Sequence, residues 1–370
     1  MSFLITGSEG FLSQNFFFFL KTQTRKKIYL YNKKKSKKDL EKYILKSKFI
    51  FHFAGENRNE NKNLFKKNNE DLTEFICDII KKNNLNCKLI FSSSIHYKKK
   101  NIYGKSKKNS EKIILKYLKN TNAKPVIYRL PNLYGKWSKP NYNSVVATFS
   151  YNIFRKKKNV IKDNNKKINL LFIDDAIKQI YQSVFSNNLI YPILKNVNQI
   201  TPYELNKTLL CMYKYRNYTF IKNIKIDFLK KLYSVFLTYA PKHKITYNLI
   251  NKKDKRGEFL EFIKLSQYGQ ISYFDINPGS VRGNHYHNLK TEKFLIISGI
   301  AKFNFFNISN KEKFSLTVSA KDKKVVETIP GYVHSIKNIG KKKTQGIIWA
   351  NEEYNSQQPD TYTHFINEKI

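Results

Sequence analysis

The sequence predicts two domains of different fold class, an α/β domain followed by an all-β domain. From residue 3 to residue 134, short apolar runs typical of strands alternate with helical patterns, which indicates a parallel sheet. We expect a helix over residues 68–83, one strand over residues 126–134 and a helical stretch over residues 203–247. After Gly257, short alternating runs, the first at residues 258–265, are separated by Gly and Asn turns and predict a sandwich or barrel. The segment between Pro241 and Gly257 is polar and has no long periodic face. We therefore expect domains at residues 1–245 and 250–370.

The composition is strongly basic, with a formal net charge of +42 over 370 residues. Most of the excess is Lys spread along the chain, whereas specific contacts to nucleic acids favour Arg. We interpret these lysines as a solvated surface and expect no nucleic-acid partner. Such a surface attracts anionic sugar nucleotides and phosphate cofactors.

No apolar run approaches the length of a membrane span, so we expect no membrane insertion. The N-terminus MSFLITG is typical of a first strand and not of a signal peptide. The three cysteines have no motif spacing, which favours a reducing compartment. These features predict a cytoplasmic protein.

A glycine-rich turn follows the first predicted strand and precedes a predicted helix. Gly7 allows the tight turn, and Gly10 lets a pyrophosphate approach the helix N-terminus that begins with Phe11 and Leu12. Ser13 occupies the third small position, where Gly or Ala is usual. This context predicts a Rossmann-type dinucleotide site, with Gly55 near the cofactor at the end of a third strand.

The residues after the second predicted strand bear on the choice of cofactor. A site that prefers NAD usually has an acidic residue here, which binds the ribose hydroxyls. This chain has Asn32 and Lys33, followed by two more lysines. Basic residues suit a 2′-phosphate, so the sequence favours NADPH.

A fourth strand ends in three serines, and Tyr103 and Lys107 follow at the start of a helix. Their i, i+4 spacing places both on one helix face, where the ammonium lowers the pKa of the phenol. With the glycine turn, these motifs resemble the extended short-chain dehydrogenase/reductase family. The resemblance implies a catalytic triad of Ser94, Tyr103 and Lys107. Ser93 is an alternative for the serine, and Asn69 is a weaker candidate for the family's fourth residue.

The segment Arg129-x-x-Asn132-x-Tyr-Gly also matches a pattern of this family. By that resemblance, Pro131 lies near the nicotinamide, and Arg129 and Asn132 bind the substrate. The alternative interpretation is a purely structural loop.

A histidine cluster follows in the second domain. His285 and His287 point to the same face of an extended strand, and Glu292 and His334 are available as further ligands. Three imidazoles and one carboxylate suit zinc or another divalent metal. The alternative is that His285 and His287 are ordinary surface histidines beside a turn.

The spacing from Gly279 through these ligands to Gly299 matches the first cupin motif, so this domain resembles a jelly-roll cupin. The second cupin motif is matched in part, because Pro330 and Gly331 are adjacent instead of separated by one residue.

The whole chain resembles the CapF family of bifunctional capsular polysaccharide enzymes in the UDP-N-acetyl-L-fucosamine pathway. The resemblance lies in the segments HFAGENRN, YRLPNLYGKWSKPNYNSVVATF, DKRGEF, GNHYHNLKTEKFLIISG and WANEEYNSQQPDTY. It implies that the cupin domain epimerises C3 of a UDP-4-keto-6-deoxy-N-acetylhexosamine. The reductase domain then reduces C4 with NADPH to give UDP-N-acetyl-6-deoxy-L-talosamine. It also implies a homodimer.

The base that removes the C3 proton stays open among Tyr286, Lys290 and Lys293, which are near the ligands in sequence. Two other functions also stay open. One is an enzyme that only reduces, with the cupin as a structural or dimerisation module. The other is a non-catalytic binder of sugar nucleotides or polyanions, which the intact Tyr103 and Lys107 pair disfavours.

Overall fold

A computed structural model describes residues 2–161, 163–186, 190–214, 226–248, 251–254, 257–260, 269–352 and 357–364. The chain divides into two compact units. Unit 1 comprises Met1–Ser144 and Lys167–Ile200, and unit 2 comprises Val145–Lys166 and Thr201–Ile370. A domain boundary near residue 245 remains a proposal.

Helices occur along the whole chain before residue 240. In order, they are α1 Phe11–Gln23, α2 Lys37–Leu45, α3 Asn63–Phe65, α4 Leu72–Lys82, α5 Ile102–Leu118, α6 Val145–Phe154, α7 Ile173–Gln182, α8 Pro202–Lys214 and α9 Ile226–Leu237.

The strands of unit 1 are short and widely spaced in sequence. They are β1 Phe3–Thr6, β2 Ile28–Tyr31, β3 Phe49–His52, β4 Lys88–Ser94, β5 Lys124–Leu130, β6 Asn132–Tyr134, β7 Ile168–Phe172 and β8 Asn198–Ile200. Those of unit 2 follow one another closely: β9 Thr246–Asn248, β10 Asn251–Asp254, β11 Gly257–Leu260, β12 Gln270–Ile276, β13 Val281–Tyr286, β14 Glu292–Ser298, β15 Ile300–Asn307, β16 Lys313–Ser319, β17 Lys324–Glu327, β18 Tyr332–Asn338, β19 Thr344–Ala350 and β20 Tyr362–Thr363.

The main sheet of unit 1 is parallel, with the strand order β2-β1-β3-β4-β5. Its strands are mainly apolar because helices cover both faces, and polar residues such as the serines of β4 lie at the strand ends. On one face, Leu4 and Ile50 share a core with residues of α2, α4 and α5. On the other face, Phe16 of α1 packs against Phe51 with ring centroids 4.3 Å apart. Unit 1 is therefore a doubly wound, Rossmann-type domain.

The apolar run from Val126 to Tyr134, which the sequence presents as one strand, is divided in the structure. β5 ends at Leu130, and β6 begins at Asn132 and pairs with β7. Pro131 lies at the break because proline has no N–H for a sheet ladder. The division turns Asn132 away from the main sheet.

The helix predicted over residues 68–83 also differs in its first turn. A π-helical turn occupies Lys66–Asp71 before α4 begins at Leu72. Asn69 lies inside this turn with 1% of its side chain exposed. Its amide accepts a hydrogen bond from the backbone N–H of Glu56 at 2.6 Å and donates to the Glu56 carbonyl at 3.1 Å. The turn therefore directs the Asn69 amide toward the loop after β3 that contains Glu56.

Unit 2 contains two antiparallel five-stranded sheets, with the orders β12-β19-β14-β17-β9 and β16-β15-β18-β13-β20. Side chains from both sheets share one core, which includes Phe294, Phe303 and Ile336. Residues along β15 alternate between buried and half-buried, as expected for a sheet with one face on a core. These sheets and the parallel sheet of unit 1 confirm the predicted fold class.

One predicted strand, at residues 258–265, is described only in part. Residues 257–260 form β11, which pairs with β10 in a hairpin, and residues 261–268 lie outside the described residues. The predicted helical stretch at 203–247 contains α8 and α9, and its residues 215–225 also lie outside them. Among the helices that the structure describes, none has the length and apolar character needed to cross a membrane.

Candidate functional site

The glycine-rich turn between β1 and α1 has the conformation that an anion-binding loop requires. Gly7 has φ +65°, and a Cβ there would lie 2.7 Å from Cα of Ala54. Only glycine fits this left-handed position. Gly10 is the N-cap residue of α1, so the free N–H groups of Phe11 and Leu12 lie at the helix N-terminus.

Gly55 lies beside two polar side chains that the sequence singled out separately. A Cβ at Gly55 would lie 3.1 Å from Nζ of Lys107 and 2.9 Å from Oδ1 of Asn69. The structure therefore brings the end of the third strand, the candidate lysine and the candidate asparagine together.

The end of β2 carries Asn32 and Lys33, as the sequence predicts. Nδ2 of Asn32 donates to the Glu9 carboxylate at 3.0 Å. Nζ of Lys33 lies 3.3 Å from the Glu56 carboxylate, and its side chain is 77% exposed. Such an exposed ammonium can bind a phosphate, although the nearby Glu56 carboxylate partly neutralises its charge.

The consecutive serines at the end of β4 have different partners. Burial raises the pKa of Tyr103, in contrast to the lowering that the sequence predicts, and a side-chain hydrogen bond with Ser94 partly offsets the rise. Ser93 donates to the Glu111 carboxylate at 2.5 Å. The structure therefore pairs Ser94, and not Ser93, with the tyrosine.

Lys107 lies one turn after Tyr103 on α5 and is 3% exposed. Its Nζ donates to the backbone carbonyl of Ser92 at 2.9 Å. Burial lowers the pKa of Lys107 to about 8, although the charge of Glu111 acts in the opposite direction. At neutral pH the ammonium is still mostly protonated.

Arg129 lies in an ion pair with Glu111. Its guanidinium donates to the carboxylate through Nη2 at 2.6 Å and through Nε at 3.1 and 3.2 Å. The rings of Tyr97 and Tyr191 flank it at 3.7 and 4.2 Å. Asn132 donates to the backbone carbonyl of Asn169 at 3.1 Å. These contacts assign a structural partner to each residue that the sequence predicts to bind substrate.

Glu111 is a residue of this site that the sequence reasoning missed. It accepts from Ser93 and Arg129, and its side chain is 5% exposed in the ion pair with Arg129. The signal was present in the sequence, because Tyr103, Lys107 and Glu111 follow one another at intervals of four residues. Three polar residues at this spacing form a stripe along one helix face.

The four predicted metal ligands lie together in unit 2. They are His285 in β13, His287 just after it, Glu292 at the start of β14 and His334 in β18. Their candidate ligand atoms all lie within 4.8 Å of one another. His285 and His334 are opposite each other in the β13–β18 pair, with ring centroids 4.6 Å apart. The adjacent Pro330 and Gly331 therefore still allow His334 to reach the cluster.

The protonation states in this cluster suit metal binding. Burial and the neighbouring histidines lower the pKa of His285 to about 4, and burial also lowers the pKa of His334. Burial alone would raise the pKa of Glu292, but the adjacent rings of His287 and His334 hold it well below its usual value. At neutral pH the cluster therefore offers the neutral rings of His285 and His334 and the carboxylate of Glu292.

Two families match successive parts of the chain. The NAD dependent epimerase/dehydratase family matches residues 3–186, and the polysaccharide biosynthesis C-terminal domain matches residues 252–362. A curated relative, UDP-2-acetamido-2,6-beta-L-arabino-hexul-4-ose reductase of Pseudomonas aeruginosa, is 34% identical over 371 residues and 100% of both chains. The crystal structure of capsular polysaccharide assembling protein CapF from Staphylococcus aureus is 33% identical, covers 99% of this chain and 100% of that chain, and has a TM-score of 0.63.

The chain belongs to the CapF family. A more distant structure, UDP-glucose 4-epimerase of Thermotoga maritima, is 17% identical and covers 58% of this chain and 83% of its own, with a TM-score of 0.52. That likeness shows the fold alone.

The spacing of the donor atoms in this CapF family member suits a divalent metal ion. Oε2 of Glu292 lies 3.4 Å from Nε2 of His287 and 3.3 Å from Nε2 of His334. These buried atoms have no hydrogen-bond partner among the described residues. Four ligands at about 2.0–2.1 Å from zinc lie about 3.3 Å apart, so the spacing suits an ion between them.

The structure separates the three candidate bases of this CapF family member from the metal ligands. Tyr286 stacks on Tyr362, with ring centroids 5.3 Å apart. Lys293 follows Glu292 in the same strand and therefore points to the opposite face, where it pairs with Glu327 at 2.7 Å. Lys290 is buried and donates to the carbonyl of Pro359 and the hydroxyl of Thr361, with bonds of 3.2 and 2.9 Å.

Proposed function

We propose that the chain is a bifunctional nucleotide-sugar enzyme of capsular polysaccharide synthesis. One activity epimerises C3 of a UDP-4-keto-6-deoxy-N-acetylhexosamine, and the other reduces its C4 ketone to give UDP-N-acetyl-6-deoxy-L-talosamine. The observation that carries the proposal is a buried Ser94–Tyr103–Lys107 site in the same chain as a buried cluster of three histidines and one glutamate. The name of the Pseudomonas relative, a hexul-4-ose reductase, agrees with the reductive step.

The reductive step needs a proton donor at the ketone oxygen. NADPH, when bound, supplies the hydride that adds to C4. Tyr103 donates a proton to the developing alkoxide, and Ser94 orients both the phenol and the ketone oxygen. Lys107, as a buried cation one helical turn away, stabilises the phenolate that remains.

The cofactor lies on unit 1 in this proposal. Gly7 and Gly10 make room for the pyrophosphate, and Phe11 and Leu12 offer the N–H groups of the α1 N-terminus. The other cofactor contacts are proposed for Asn32, Lys33, Gly55 and Pro131, which follow strands, and for Lys107 of α5. The exposed Lys33 ammonium favours a 2′-phosphate and hence NADPH over NADH.

The substrate contacts are proposed for Arg129 and Asn132, next to the break at Pro131. The resemblance to the extended short-chain dehydrogenase/reductase family supports this role. The CapF resemblance supports a homodimer, and the cysteine spacing supports a cytoplasmic protein.

The epimerisation is proposed for unit 2. A C3 proton next to a ketone is acidic, and a divalent metal such as zinc acts as a Lewis acid on a carbonyl oxygen. His285, His287, Glu292 and His334 would hold this metal. The cluster lies at the ends of paired strands, which keep the ligand atoms in place.

Chemistry fixes the order of the two steps. Reduction of C4 removes the ketone that makes the C3 proton acidic. Epimerisation must therefore come before reduction.

The test follows both steps by NMR and mass spectrometry in deuterated water, with a UDP-4-keto-6-deoxy-N-acetylhexosamine as substrate. The zinc-loaded protein is expected to place deuterium at C3 without NADPH, and to form the C4 alcohol when NADPH is added. Tyr103→Phe should retain the exchange and lose the reduction. Glu292→Gln should lose the exchange because the metal ligand set is incomplete.

Two outcomes would contradict the proposal in different ways. Reduction by the wild type without exchange at C3 would leave a single-activity reductase with a structural cupin. Exchange that survives both Glu292→Gln and removal of the metal would separate the epimerisation from the cluster.

A further inference from the structure

The C-terminal segment 357–364 runs beside the strand that carries the histidines. β20 pairs with β13, so that Thr363 lies opposite His285. The backbone N–H of His364 donates to the carbonyl of Asn284 at 2.8 Å. These contacts bring the segment Gln-Pro-Asp-Thr-Tyr, whose role is so far unassigned, to the edge of the metal cluster.

Asp360 in this segment binds the loop that joins two of the ligands. Its carboxylate accepts hydrogen bonds from three consecutive backbone N–H groups. The donors are those of Asn288 at 3.0 Å, Leu289 at 2.8 Å and Lys290 at 2.7 Å. Hydrogen bonds to an ionised carboxylate are about twice as strong as neutral ones. Residues 288–290 of the loop are therefore held by one side chain from a distant part of the sequence.

The backbone of Asp360 also binds one of the ligands directly. Its carbonyl oxygen lies 2.6 Å from Nδ1 of His287. A carbonyl oxygen only accepts hydrogen bonds, so Nδ1 must carry the ring proton. The lone pair of His287 is then on Nε2, the atom that faces Glu292 at 3.4 Å. This contact selects the tautomer that a metal requires.

The loop binds the segment in return. The ammonium of Lys290, which is 6% exposed, donates to the Pro359 carbonyl and the Thr361 hydroxyl. Between them Asp360 has φ +33°, a left-handed conformation that is uncommon outside glycine, asparagine and aspartate. Contacts in both directions stabilise this conformation.

We propose that Asp360 is a positioning residue for the metal site, which fixes the His287 ring and the loop between His287 and Glu292. The inference rests on the metal site that the proposed function assigns. Without the Asp360 carboxylate, the loop loses its three hydrogen bonds, and two of the four ligands lose their fixed spacing. Loss of a residue that hydrogen-bonds to a metal ligand typically lowers metal affinity by roughly 10–100-fold.

The test compares Asp360→Asn with Asp322→Asn. Asparagine adopts the left-handed conformation of residue 360, but its NH₂ group replaces one of the two carboxylate oxygens and cannot accept, so at least one of the three backbone N–H groups loses its acceptor. Asp322 is a matched control, since its carboxylate also accepts a backbone N–H, that of Ser319 at 2.8 Å, at an exposed turn of the same unit. The measurement is the zinc dissociation constant of the full chain, by competition with a chromophoric chelator.

Asp360→Asn is expected to weaken zinc binding roughly 10–100-fold, and Asp322→Asn is expected to leave it unchanged. In the metal-free protein, amide hydrogen exchange should become faster within residues 288–290 in Asp360→Asn alone, at the N–H group or groups that face the NH₂ and so lose their acceptor. This second measurement does not depend on the metal.

Wild-type zinc affinity in Asp360→Asn would overturn the inference and leave the metal site intact. Equal losses in both variants would also overturn it, because they would indicate a general loss of stability. A wild-type protein without zinc affinity would instead contradict the proposed metal site, and the positioning role with it.

Discussion

Ser93 and Ser94 are neighbours in sequence and have different roles at the scale of single residues. Ser94 hydrogen-bonds with Tyr103, whereas Ser93 donates to Glu111. Successive side chains of a strand point to opposite sides, so neighbours in a strand meet different partners. Ser94 therefore lies beside the tyrosine, whereas Ser93 stabilises the site through Glu111.

We predict that Ser94→Ala lowers kcat for C4 reduction about 10–100-fold, because the ketone oxygen and the phenol lose a shared hydrogen-bond partner. Ser93→Ala should keep kcat within about threefold and lower the free energy of unfolding by about 1 kcal/mol. Steady-state kinetics and denaturant unfolding check the pair. If the effects on kcat were reversed, Ser93 would be the catalytic serine.

A second prediction concerns the pH dependence of reduction. The pKa of Lys107 is about 8, and the reaction needs the protonated ammonium. The value of kcat/KM should therefore be level below pH 8 and fall as the pH rises through about 8. Glu111→Gln removes the charge that raises this pKa, so the fall should begin at lower pH.

The control for this prediction is Glu70→Gln. The Glu70 carboxylate is half-buried and accepts a hydrogen bond at 3.0 Å from Asn109, which lies in α5 as Lys107 does. It should leave the alkaline limb in place. An unchanged limb in Glu111→Gln would show that Lys107 does not set the pH profile.

At the scale of elements, the π-helical turn at Lys66–Asp71 aims Asn69 into the site. The amide of Asn69 binds both backbone groups of Glu56 and also donates to the Ser106 hydroxyl at 2.8 Å. Extra residues in a helical turn often mark functional positions. Here the turn joins the loop after β3 to helix α5.

We predict that Asn69→Ala lowers the free energy of unfolding of unit 1 by about 2–3 kcal/mol, because buried partners lose their hydrogen bonds. Asn68→Ala is the control in the same turn, since its amide donates only to the Glu56 carboxylate, which also pairs with Lys33. It should cost less than about 1 kcal/mol. The fluorescence of Trp137 in a Trp349→Phe background reports on unit 1 in urea, and equal losses would contradict the prediction.

At the scale of the whole molecule, the high positive charge does not by itself select a cofactor. The formal charge of +42 attracts any anion, but only Lys33 and its neighbours lie at the end of β2. We predict that kcat/KM is at least about tenfold higher with NADPH than with NADH, equivalent to about 1.4 kcal/mol. Lys33→Ala should remove most of this preference.

The matched control is Lys81→Ala, a lysine of α4 whose ammonium lies over the Tyr117 ring at 5.8 Å. It should leave the ratio of the two cofactors unchanged. If Lys33→Ala kept the preference for NADPH, the selectivity would depend on Lys34 or Lys35 instead. An equal loss of the preference in both variants would indicate that the net positive charge of the protein causes it.

The sequence by itself determined the two fold classes and most of the strand and helix positions, because hydrophobic periodicity and glycine turns are local features. It also predicted the His285, His287, Glu292 and His334 cluster, since strand alternation and motif spacing bring these residues together. It favoured Ser94 by resemblance but left Ser93 as an alternative, because both lie at the end of the same strand.

The tertiary structure decided what depends on contacts between distant residues. It showed the break at Pro131, the π-helical turn around Asn69 and the Glu111–Arg129 ion pair. It also brought Asp360 onto the loop between His287 and Glu292. These hydrogen bonds and ion pairs join residues between about 13 and 73 positions apart. No local pattern encodes such pairings, because they form only when the sheets place the partner elements side by side.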